Sequence, residues 1–281
     1  MLAREEYIEQ TYLFRTWRER LDDASAAQEL LLAIREEILA TTRLPLAIDF
    51  LAGELHHHGR IGMGMGRLSH YFSPFQAFVM QQAEVDSSRF DFRLALEILQ
   101  NEAEYRASDN VLVPALFIYQ FECIARNRLG YDAGLVAVAG DQAYPAAWRE
   151  WILKIRRDLG TIDFADMLYV RSEQWLDDYR RESGQPNYTP GFPILFDHRA
   201  GRIAKANIGR EPLFMFAALQ RQLGYPRVPR PQPLRRTNVF EPALEFRFQR
   251  LEARLQMLEQ EQKGELDLTP FLRKPDHPEE V

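Results

Sequence analysis

The sequence predicts a mainly α-helical protein: a multi-helix bundle with one small β-hairpin and a C-terminal coiled-coil-like helix. Three observations lead there. Along most of residues 1–184, apolar side chains recur at three- and four-residue steps, the spacing that lines one helix face. Residues that start and stop helices stand at the ends of those patterns. Short apolar runs of strand length flank a turn-rich stretch only between positions 193 and 206, as a hairpin requires.

The first helix is read between Ala3 and Asp22 from Tyr7, Ile8, Tyr12, Phe14, Trp17 and Leu21. Ser25 and Gln28 then form a capping box, in which hydroxyl and side-chain amide satisfy backbone N–H groups at a helix start. That second helix runs to about Thr41. Pro45 suits the first turn of a third helix, with apolar face Leu44, Ile48, Leu51 and Leu55 and with Gly59 available as its left-handed terminator. Gly59, Gly62, Gly64 and Gly66 predict a loop. A second capping box, Ser73 with Gln76, launches the next helix.

Further helices are expected near 90–106 and 111–129, from Tyr144-Pro145 to Gly160, and from Phe164 to Gly184. About seven or eight helices are expected in all. Beyond Gly184, Pro193–Phe196 and Arg202–Ala206 flank Asp197–Gly201 as strand, loop, strand. Pro212 opens a short helix closed by Gly224, and the four prolines between Tyr225 and Pro233 argue against helix there. The expected organisation is a helical body at 1–184, a hairpin, short helix and Pro/Arg-rich linker at 185–238, an amphipathic helix at 239–264, and a mobile tail at 265–281.

In segment 239–264, Leu244, Phe248, Leu251, Leu255 and Leu258 alternate by four and three residues, as heptad a and d positions do. With Phe248 and Leu255 at a, Arg247 and Arg254 fall at g and Glu252 and Glu259 at the following e positions. That charge arrangement joins two parallel helices, so these five apolar residues are the predicted dimerisation surface, the alternative being that the helix packs back on the protein's own body.

Composition bounds the function. The chain of 281 residues is 46% hydrophobic and 27% charged, the profile of a folded protein. Its net charge of −6 disfavours phosphate backbones and anionic membranes as global partners. A single cysteine, Cys123, excludes an intramolecular disulfide and a Cys-based zinc site and fits a reducing compartment, so cytoplasm is the expected location. No secretion signal is expected from Met1–Glu9, which carries four charged residues, nor a membrane span from Val111–Ile124, interrupted by Pro114, Gln120 and Glu122.

Two segments carry candidate chemistry. Glu54 and His57 form an E-x-x-H pair, which sets a carboxylate and an imidazole on one helix face. Di-iron bundles need that motif twice, and no second copy exists. What remains is a single transition-metal site drawing on Glu54, His57, His58 and His70, with Glu84, Glu102 or Glu104 as a further carboxylate. The competing reading is a histidine-rich last turn favoured by the helix dipole.

The second segment is basic: Arg199, Arg202, Lys205, Arg210, Arg221, Arg227, Arg230, Arg235 and Arg236 face one acid, Glu211. It could contact phosphates, with Tyr225 stacking on a base, or dock on acidic helices such as the one holding Asp177 and Asp178. The glycine run lacks the Lys-Ser/Thr of a phosphate loop, and Cys123 lies in an apolar helix without activating cations.

No complete catalytic constellation is legible. The expected function is that of a non-enzymatic oligomeric interaction or scaffold protein, with itself and an unidentified protein as partners and no required cofactor. The alternatives are a metal-dependent helical-bundle enzyme using Glu54, His57 and His70, and a nucleic-acid binder using segment 199–236.

Overall fold

The computed structural model describes residues 2–21, 27–85 and 90–230. The Ser25 capping box, Arg235, Arg236 and the heptad residues Leu244, Phe248, Leu251, Leu255 and Leu258 lie outside the described residues. Among the described residues there are thirteen helices and no strand.

α1 (Arg4–Glu19) buries Leu13, Phe14 and Trp17 and packs along α6 (Phe92–Ala107). Burying each such side chain contributes about 1.5–3 kcal/mol. α2 (Ala27–Glu37) packs on α3 (Leu44–His58), which starts with Pro45 in its first turn and ends at Gly59 with φ 66°. Both ends match the sequence reading.

The glycine run is not a loop. Gly62–Arg67 is a short helix, α4, packed on α5 (Pro74–Ala83). A Cβ at Gly62 would lie 2.7 Å from the backbone nitrogen of Gln81, so the small residue serves close helix approach rather than a turn. Glu84, just past α5, supplies what α4 lacks as a cap. Its carboxylate accepts hydrogen bonds from the backbone N–H groups of Ile61 and Gly62. The capping box opening α5 is complete, with Ser73 and Gln76 each bonded to the other's backbone N–H.

α7 (Val113–Asn127) runs through the centre, burying Ala115 to Ile124 on every side. α8 (Tyr131–Ala139), not foreseen from the sequence, packs on α9 (Ala146–Asp158). Gly134 permits the contact between α8 and α7, since a Cβ there would meet Ile124 Cδ1 at 2.8 Å. The stretch expected as one pattern to Gly184 is two helices, α10 (Phe164–Val170) and α11 (Glu173–Ser183), separated where the Ser172 hydroxyl caps α11.

The predicted β-hairpin is corrected. Asp197 accepts a hydrogen bond from the Ala200 N–H at 2.7 Å and starts α12 (His198–Asn207). The alternation read as strand is a helical face on which Ala200, Gly201 and Ala204 are buried, with Ile203 half-buried. Residues 193–196 are extended but hold on to α10 and α11 only through single bonds, such as Leu195 N–H to Arg171 O at 2.8 Å and an isolated Ser172–Phe196 bridge. α13 (Pro212–Leu223) ends at Gly224 with φ 72°, as expected.

From Gly224 to Arg230 the chain is non-helical and strapped to the body. The Tyr225 hydroxyl lies 2.7 Å from Glu122 Oε2, Asn101 donates to Arg227 O, and Asn127 donates to Pro229 O. One apolar core runs from Leu13 to Val228. At its densest part Phe121 stacks on Phe164 at 4.0 Å, surrounded by Phe117, Trp148, Trp151 and Phe216. No helix among the described residues is long and apolar enough to cross a membrane.

Candidate functional site

The histidine cluster sits in the last turn of α3, fully on the surface. His56 and His57 stand edge to face at 5.2 Å, and His56 Nδ1 is 3.2 Å from Gln28 Oε1. Glu54 points away into another role, held by Arg67 Nη1 at 2.7 and 2.9 Å. His70 lies in the connection between α4 and α5. Of the further carboxylates, Glu84 caps α4, Glu102 is buried and Glu104 is exposed. Thus Glu54, His57, His58 and His70 are not brought into one ligand set, and no three His, Cys, Asp or Glu side chains among the described residues converge as a metal would require.

The basic segment is divided by the fold. Lys205 on α12 donates to Asp178 Oδ2 at 2.7 Å, and His198 lies 3.4 Å from Asp177. These two face the acidic side of α11, the docking partner named as an alternative above. Arg199, Arg202, Arg210, Arg227 and Arg230 are exposed. Tyr225 is buried on Glu122 and is not available to stack on a base. A surface cluster unrecognised in the sequence, Trp175, Tyr179, Tyr188 and Phe192, stacks on itself, with Arg171 over the Phe192 ring at 4.4 Å.

Cys123 is wholly buried, and burial pushes its thiol well above the usual range. A thiol so placed is chemically quiet.

The arrangement that sequence reading missed is a polar cavity of about 140 Å³. It is a half-open pocket lined by the start of α1, Arg43 before α3, the α4–α5 connection, the end of α6 and the α8–α9 connection. Its inner wall is Arg106, whose side chain is 2% exposed. The guanidinium donates through Nη2 to Glu102 at 2.9 Å and to Asp141, and lies 5.9 Å from the Tyr7 ring.

Behind that wall a buried polar network continues. Gln120 donates to Glu102 Oε1 at 2.6 Å and accepts from the Tyr144 hydroxyl at 2.6 Å. Burial pushes the Glu102 carboxyl and the Tyr144 phenol up, and the Arg106 charge opposes the shift at both. Two atoms of the network have no partner, Arg106 Nε and Glu102 Oε2. Unpartnered buried polar atoms cost about 1–3 kcal/mol each, so their retention asks for a reason.

Two further lining residues, Arg43 and Tyr71, are held by Glu6, which accepts from the Arg43 backbone N–H and from the Tyr71 hydroxyl, both at 2.9 Å. Tyr71 is raised by its burial and by this carboxylate. Of the residues that line the cavity, only His70 is a site candidate in the sequence; Tyr7, Ser73 and Gln76 enter there only as helix-face and capping residues. Tyr7, Arg43, Arg106 and Asp141 carry no local motif, and they meet only because α1, α6 and two helix connections converge.

No protein-family model, curated protein or solved structure matches the chain.

Proposed function

We propose that the protein is a non-enzymatic, self-associating interaction protein. The observation that carries this reading is the heptad of Leu244, Phe248, Leu251, Leu255 and Leu258, with Arg247 and Arg254 set against Glu252 and Glu259. Apolar a and d positions drive pairing of two helices, and g-to-e charge matching selects a parallel dimer. The partner is a second copy of this chain, to which further proteins bind. The buried, unreactive Cys123 suits a reducing, cytoplasmic setting.

The body supports a binding role in one respect. Large apolar side chains stand exposed in pairs, Leu46 (75%) with Phe50 one turn on, and Leu213 with Phe214 (67%). Grouped apolar exposure marks interaction surfaces more often than solitary residues do.

The test is the mass of the full chain in solution by light scattering. Twice the 32.9 kDa of one chain, falling to one copy on deletion of 239–264 and on the Leu251→Lys, Leu255→Lys double substitution, supports the reading. A monomeric full chain overturns it. Affinity capture with and without nuclease then separates protein partners from the nucleic-acid alternative, whose binding through Arg199 to Arg236 would weaken steeply with salt.

A further inference from the structure

We propose that the tip formed by the α9–α10 and α12–α13 connections is a surface that settles on anionic lipid headgroups. This role goes beyond self-association and does not rest on it.

The two connections are joined to each other. The Gly209 N–H, in a left-handed turn with φ 73°, donates to Asp163 Oδ2 at 2.6 Å. Ile162 and Ile208, the residues beside this bond, are 40% and 42% exposed, and Leu213 and Phe214 at the start of α13 are 37% and 67% exposed. Four large apolar side chains therefore stand around one hydrogen bond, drawn from two separate segments. Ala217 and Arg221 continue the exposed face of α13 one and two turns beyond Phe214.

The chain carries a net charge of −6, yet the sign is reversed at this tip. Arg157 in the last turn of α9, Arg202 on α12, Arg210 between Ile208 and Leu213, and Arg221 on α13 are all exposed. Among the described residues none of these four guanidiniums has a hydrogen-bond or ion-pair partner. Glu211 is the only exposed acid in residues 153–163 and 199–221.

Apolar side chains surrounded by unpaired cations are complementary to a layer that is anionic outside and apolar within. Phe214, Leu213, Ile208 and Ile162 enter the acyl boundary while the guanidiniums stay with the headgroup phosphates. The backbone allows this. The N–H groups of Ile162, Gly209, Arg210 and Phe214 are already bonded to Asp158 O, Asp163 Oδ2, Asn207 O and Glu211 O, so insertion strands none of these donors in an apolar layer. A nucleic acid would engage the arginines and leave the four apolar side chains in water.

The test is co-sedimentation of the full chain with vesicles of phosphatidylcholine alone and of phosphatidylcholine and phosphatidylglycerol in equal parts. Binding to the mixed vesicles is expected, weaker on phosphatidylcholine alone and falling with added salt. Phe214→Ser should weaken it by about tenfold or more, and Arg210→Gln together with Arg221→Gln by about thirtyfold. These side chains are exposed, so thermal unfolding of both variants should match the parent. No binding to the mixed vesicles overturns the proposal, as does binding that is equal on uncharged vesicles or that either variant leaves unchanged. A fall in solution mass on Phe214→Ser, with no vesicle binding by the parent, assigns the tip to a second copy of the chain instead. Self-association through 239–264 is read from a different variant and survives any of these failures.

Discussion

The Lys205 ammonium reaches across from α12 to Asp178 on α11 and donates to its Oδ2 at 2.7 Å. Tyr169 from α10 donates to the same oxygen at 2.8 Å, and Gln174 to Oδ1 at 3.0 Å. Three helices therefore meet on one carboxylate.

These bonds hold the Asp178 carboxyl down at about 2 from its ordinary 3.8, Lys205 contributing most. A carboxylate lowered by folding stabilises the fold at pH above its unfolded value, and that contribution is lost as pH falls through its folded one. Stability measured by urea unfolding should be constant from pH 7 to about 5 in this respect and decline between about pH 4 and 2. Asp178→Asn should cost about 1–2 kcal/mol at pH 7 and remove that part of the acid dependence. An Asp178→Asn protein with the parental acid profile would show that the bonds contribute nothing.

Glycines that look alike in sequence should behave oppositely when given a methyl group. A Cβ at Gly62 meets the Gln81 backbone at 2.7 Å, and one at Gly201 collides with the Ser172 side chain, whereas one at Gly53 meets nothing within 4 Å. Gly62→Ala and Gly201→Ala should each destabilise by about 1–3 kcal/mol through overpacking. Gly53→Ala, in the middle of α3, should stabilise by about 0.5–1 kcal/mol. Thermal unfolding of the three variants checks the signs.

Removal of the Tyr225 hydroxyl should loosen the strap beyond α13. It lies 2.7 Å from Glu122 Oε2 and 3.0 Å from Phe216 O. Tyr225→Phe should cost about 1–3 kcal/mol by stranding a buried carboxylate oxygen. Hydrogen exchange should accelerate in residues 224–230 before it does in α7. Uniform exchange in both would mean that the strap is held by packing alone.

Cys123 should resist alkylation in the native protein, since it is wholly buried and burial raises its thiol. Labelling with iodoacetamide at pH 8 should reach completion only after denaturation. Rapid native labelling would show that α7 opens.

The parts of the fold legible in the sequence were those written locally. Pro45 and Gly59 bracket α3, Ser73 and Gln76 open α5, and Pro212 and Gly224 bracket α13. The misread parts were set by tertiary contact. Gly62 and Gly64 look like loop residues until α5 and Glu54 are seen beside them. Asp197 looks like a turn residue until its carboxylate is seen capping α12. The cavity was illegible for the same reason. Its walls come from positions as distant as Tyr7, Arg43, Arg106 and Asp141, each of which in sequence is an ordinary residue on or beside an amphipathic helix.

The Glu84 cap carries an implication for the order of events in folding. α4 has six residues, three of them glycine, so it gains little from intrinsic propensity and cannot meet the cost of its own nucleation. The carboxylate that gathers its first N–H groups stands more than twenty positions later, beyond α5. Synthesis therefore delivers α4 before the group that holds it. The helix should be stable only with α5 folded against it, so that hydrogen exchange in α4 and around its Glu84 cap rises and falls together.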